Sequence, residues 1–88
     1  MTQPISFEVA EILFKKHRVL FHNIGEVVMW LYEKHGIWIY LVPSEDNKNV
    51  FKPFFRGKSI VDQHLTKFYR SPTKAYEAGI EYSLNNLI

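Results

Sequence analysis

With no cysteine in the chain, the four histidines, His17, His22, His35 and His64, are the side chains best suited to bind a borderline-soft metal. Their spacing does not build a site. His17 and His22 lie five positions apart across an expected helix end, with no carboxylate beside either in a metalloprotease-like pattern, and His35 and His64 are isolated in the sequence. His35 instead suits the C-terminal end of a helix, where an imidazolium complements the dipole. Nucleophilic catalysis has no better foundation. Ser6, Ser71 and Asn23 are accounted for as helix caps and Ser44 as a turn residue, while Ser59 has no nucleophile elbow around it. The glycines at 25, 36, 57 and 79 are too dispersed to cradle a phosphate, and Glu77 and Glu81, one helical turn apart, mark a solvated polar face. The expectation is a protein that is not an enzyme, with no catalytic, metal-ligating or cofactor-binding residue and no cofactor.

What remains is an interleaving of rings and cations between Val50 and Arg70. Phe51, Phe54, Phe55, Phe68 and Tyr69 alternate with Lys52, Arg56, Lys67 and Arg70, the residue types from which single-strand nucleic-acid surfaces are made. Residues 48 to 74 hold seven bases against one acid, Asp62, so this segment is +6; with a net charge of +2, the rest of the chain is −4. Such a patch can meet phosphates or an acidic protein, or it can be a solvated strand edge whose lysines discourage aggregation. The aromatic consensus of the common RNA-binding sheet modules is absent.

Local signals give the elements that must position these residues. Ser6 is an N-cap for a helix over Phe7 to about His17, with Val9, Ala10, Leu13 and Phe14 at helical spacing. Asn23 followed by Glu26 has the form of a capping box, and Ile24, Val27, Val28, Leu31 and His35 share one arc of the helix it opens, which Gly36 ends. Trp30 and Tyr32 flank that arc. Ile37 to Val42 is a strand with almost no polar side chain, so it is expected at the centre of a sheet with Trp38 and Tyr40 in the core. Val50 to Arg56 is a second strand, confined by Pro53 to an edge. Gly57 to Gln63 is expected as a loop and His64 to Arg70 as a third strand. Ser71 and Pro72 open a final helix whose small residues, Ala75, Gly79 and Ser83, form a ridge that can press close to a sheet, with Tyr76 beside it in the core.

The fold class that follows is α+β, one domain over residues 1–88: a small, mainly antiparallel three-stranded sheet with helices packed on one face, in the order ααβββα. Eighty-eight residues with 47% apolar and 23% charged side chains exclude wholesale disorder and a two-domain enzyme. Without disulfides or thiolate zinc, the 14 aromatic residues must supply the buried area. The N-terminal stretch carries Glu8 and Glu11 where a signal peptide needs apolar residues, and no apolar run approaches a membrane span, so a cytoplasmic protein is expected, with no membrane partner.

The segments Val27–Ile39 and Tyr69–Leu84 also carry a resemblance. Trp30, Leu31, Glu33, Lys34 and His35 before an aliphatic-aromatic strand, and Ser71, Ala75, Ala78 and Gly79 in a closing helix, resemble small uncharacterised proteins of Bacteroidetes and their phages or prophages. The resemblance implies a stand-alone accessory protein and transfers no site residue. The expected function is a non-catalytic protein-interaction or accessory module with a protein partner, a second copy of the chain included. The alternative is nucleic-acid binding on the basic, aromatic sheet surface of residues 48–70. The candidate binding surface comprises Lys52, Arg56, Lys67, Arg70, Phe54 and Phe55, together with Met29 and Trp30 on the flank of the second helix.

Overall fold

The Ser6 hydroxyl accepts from the Val9 amide at 3.3 Å and opens α1 (Phe7–Ile12), which widens into a π-helical turn over Leu13–His17 and stops at Arg18, in the left-handed region at φ 58°. These and the following elements are those of a computed structural model that describes residues 4–57 and 60–88. A reciprocal capping box starts α2 (Ile24–His35): the Glu26 amide donates to the Asn23 side chain at 3.0 Å, and the Asn23 amide donates to the Glu26 carboxylate at 3.2 Å. Gly36, at φ 69°, closes the helix by donating to the Tyr32 carbonyl at 3.1 Å, a left-handed conformation that suits glycine. Ser71 caps α3 (Pro72–Tyr82), which also ends in a π-helical turn, Ser83–Leu87.

Three antiparallel strands, β1 (Ile37–Pro43), β2 (Phe51–Gly57) and β3 (Ile60–His64), form a sheet in the order β1-β2-β3. The element order is ααβββα, as expected, with the helices packed on the sheet. Alternate residues Ile37 and Ile39 of β1 and Phe55 of β2 point into a core shared with Val9 and Leu13 of the first helical segment, Val27, Val28 and Leu31 of α2, and Ile80 and Leu84 of the last. Gly79 lies where α3 presses on this layer: a Cβ there would stand 3.1 Å from Ile39 Cγ2 and 3.2 Å from Pro53 Cβ, so the small-residue ridge is used for close approach. The Ser6 amide donates to the Glu77 carboxylate at 2.8 Å, tying the start of α1 to α3.

The sheet departs from the sequence expectation in three ways. The apolar strand Ile37–Pro43 is an edge, and the strand containing Pro53 is central. Proline is accommodated because its nitrogen faces the β3 side of β2 just beyond the end of β3: the Leu65 amide donates to the Pro53 carbonyl at 3.2 Å, and no donor is required of Pro53 in return. The third strand runs over Ile60–His64 instead of residues 64–70, since Gly57 already pairs with Ile60; past His64 the later segment meets β2 through the Leu65 amide on the Pro53 carbonyl and through Tyr69 on Phe51. Of the expected loop, residues 58 and 59 lie outside the described residues.

Several expected core rings are also displaced. Trp38 is 38% exposed and Tyr40 half-buried, since helices cover one sheet face only and a strand apolar at nearly every position must leave its alternate set on the other. Phe14 is 48% exposed, beneath the Arg18 guanidinium at 6.0 Å, because Val9 and Leu13 already fill the stripe that faces the core.

Candidate functional site

Strand alternation places Trp38, Tyr40 and Val42 of β1 and Lys52, Phe54 and Arg56 of β2 on the face opposite the helices, with His64 of β3 aligned to Phe54. The cross-strand pairs Tyr40 with Phe54 and Trp38 with Arg56 follow from the register. On this face the rings form a connected row. Phe54 stacks on His64 with centroids 4.8 Å apart and meets Tyr40 at 5.6 Å. Two cations stand over the rings: the Lys52 ammonium lies 4.7 Å from the Phe68 centroid and 5.9 Å from Phe54, and the Arg56 guanidinium lies 5.8 Å from Tyr40. Phe68 is 40% exposed and Phe54 half-buried, so both rings reach the surface.

Of the eight residues expected to form a binding surface, Lys52, Arg56 and Phe54 come together on this face. Phe55 does not: it is 0% exposed, packed against Tyr82 at 5.4 Å, because it is one position out of phase with Phe54. Lys67 lies over Tyr69 at 5.2 Å, and Tyr69 borders a recess formed with Ala78, Tyr82 and Asn85 of the last helical segment, so this cation is drawn toward the helix side. Arg70 is exposed at the turn into α3. Trp30 is partly buried against His17, His35 and Phe21, at 5.5, 4.8 and 5.7 Å, in the seam between the first helical segment and α2 and apart from the row on the sheet. Met29 is exposed, and with Tyr32, Trp38, Arg56 and Gly57 it lines an open groove of about 1040 Å³ where α2 meets the ends of β1 and β2.

Sequence reasoning assigned Trp38 and Tyr40 to the core and passed over His64. The signal that places the first two on the outer face is their two-residue offset from each other and their alternation with Ile37 and Ile39. The closeness of His17 and His35, whose rings lie 6.1 Å apart, has no trace in the spacing because it arises from tertiary packing. Burial, and then the neighbouring His17, hold His35 below the usual imidazole value of 6.5. Among the described residues no group of three or more histidine, cysteine or carboxylate side chains is placed to hold a metal ion, and no helix is long and apolar enough to cross a membrane.

No protein-family model, curated protein or solved structure matches the chain.

Proposed function

We propose that the chain is a small non-catalytic binding module of the cytoplasm whose ligand is single-stranded nucleic acid, held on the outer face of the sheet. The observation that carries this reading is the position of Lys52 and Arg56 over Phe68, Phe54 and Tyr40. Rings at a protein surface stack bases of any sequence, and cations beside them neutralise the linking phosphates. His64 extends the stacking row beyond Phe54. Recognition of this kind is tolerant of sequence, since every base has a π-face.

Fluorescence anisotropy with labelled oligothymidylate and oligouridylate, over a series of salt concentrations, tests the proposal. Affinity falls steeply with salt, and Lys52→Ala and Arg56→Ala each lower the slope of log K against log salt by about 0.7 when one phosphate contact is lost. Absence of binding at low salt refutes it.

A second reading is supported by the groove beside Met29 and Tyr32, whose thioether and rings are suited to a protein side chain. On that reading the chain is a protein-binding accessory factor, and Met29→Lys abolishes capture of the partner while leaving nucleic acid untouched.

A further inference from the structure

The backbone of β1 has one side paired and one side open. The Phe51 and Tyr69 backbones exchange bonds of 2.7 Å, and the Pro53 carbonyl accepts from Leu65, so Phe51 and Pro53 direct their polar groups to the β3 side of β2. Parity alternates along an antiparallel ladder, so Lys52, Phe54 and Arg56 bond to β1, through Val42, Tyr40 and Trp38. The N–H and C=O groups of Ile37, Ile39 and Leu41 consequently face away from β2. Among the described residues no strand pairs with them.

Edges of this kind are usually protected by a charge, a bulge or a proline. Over Ile37–Val42 β1 carries no charged side chain and pairs with β2 without a register shift, and its proline, Pro43, is its last residue. Its charges lie just beyond its ends. Glu33 and Lys34 precede it, and Glu45 and Asp46 follow Pro43, all four exposed.

We propose that β1 pairs antiparallel with β1 of a second copy, forming a closed two-fold dimer with one continuous six-stranded sheet. In the register centred on Ile39, Ile37, Ile39 and Leu41 of one copy meet Leu41, Ile39 and Ile37 of the other, and every open group of these residues gains a partner. The antiparallel sense brings the Lys34 end of each copy beside the Glu45–Asp46 end of its mate, whereas a parallel pairing sets like charge against like. A two-fold axis perpendicular to the sheet also keeps both outer faces on one side, so that Trp38 of each copy abuts Tyr40 of the other. The dimer stands independently of the nucleic-acid reading.

Light scattering after size exclusion, over a range of protein concentrations, combined with amide hydrogen exchange read by NMR, tests the pairing. The expected result is a species of twice the 10.5 kDa chain mass, in which the Ile39 and Leu41 amides exchange slowly at high concentration and rapidly on dilution. The Tyr40 amide, bonded to β2, stays slow at both. Lys34→Glu weakens association by about tenfold, two like-charge contacts replacing two favourable ones, and adding Glu45→Lys and Asp46→Lys restores it. A monomer at every concentration overturns the proposal. So does a dimer whose Ile39 and Leu41 amides remain fast, or a Lys34→Glu variant that associates as well as the parent.

Discussion

Phe54 and Phe55 are neighbours in β2 with opposite duties, and replacing each by alanine separates stability from binding. Phe55 is completely buried, between Ile39 of β1 and the Gly79–Tyr82 stretch of α3. Truncating such a ring costs about 3–5 kcal/mol, transfer and cavity terms together. A domain of this length has roughly 4–13 kcal/mol in total, and about 4–8 °C of melting temperature is lost per kcal/mol. Phe55→Ala therefore lowers Tm by about 12–40 °C and leaves the protein partly unfolded under ordinary conditions if the parent is at the lower end. Phe54 is half-buried and contributes its contacts to Tyr40, His64 and Lys52. Its truncation costs about 1–2 kcal/mol of stability, but removes a stacking platform worth about 1–3 kcal/mol per base, a 5- to 150-fold loss in affinity for an oligonucleotide. Circular-dichroism melts and anisotropy titrations on the two variants give all four numbers. If Phe54→Ala is the more destabilising of the pair, the register of β2 is inverted and the argument for the outer face is wrong. If Phe54→Ala is folded and binds like the parent, the rings are structural only.

Three further outcomes are expected. Asn23→Ala removes one half of the capping box and lowers stability by about 1 kcal/mol, seen as a shift in urea midpoint with unchanged slope. Gly79→Ala gains about 1 kcal/mol of helix propensity but forces a methyl against Ile39 and the rigid ring of Pro53; overpacking at about 1–3 kcal/mol prevails, and the melt moves down, whereas an upward shift shows that α3 stands off the sheet. His35 favours the neutral imidazole when folded, so between its lowered folded pKa and 6.5 the unfolded chain binds more protons; its contribution is complete above pH 6.5 and is lost as pH falls through the folded value, and His35→Gln flattens urea midpoints measured across that window.

The helices were legible because their signals are local. Ser6, Asn23 with Glu26, Gly36, and Ser71 with Pro72 act within a few residues of themselves, and each is found capping or closing the helix it announces. The sheet was less so, because strand order is a tertiary property. An unbroken apolar run such as Ile37–Val42 reads as a central strand, yet β1 is apolar on one side for the helices and aromatic on the other for the open face. Pro53 reads as an edge residue unless the reader knows that β3 ends just before it. The candidate surface was partly legible for the same reason. Lys52, Phe54 and Arg56 share a parity that the sequence displays, while the burial of Phe55 follows only once the parity is assigned to a face, and Lys67 and Arg70 belong to a connection whose path no periodicity describes.

The bond from the Ser6 amide to Glu77 has a consequence for the order in which the molecule assembles. The β1–β2 and β2–β3 pairs join neighbouring segments and can form within microseconds, and α2 leads into β1 through a single glycine. The first helix, by contrast, is tied to a residue 71 positions away, and Ala75, Ile80 and Leu84, which close the core, all belong to the last helical segment. Until that segment docks, Ile39 and Phe55 face water and α1 lacks its anchor. Closure over so long a span is the slow step expected of such contacts, and a nascent chain therefore carries an exposed apolar sheet face for as long as α3 is missing.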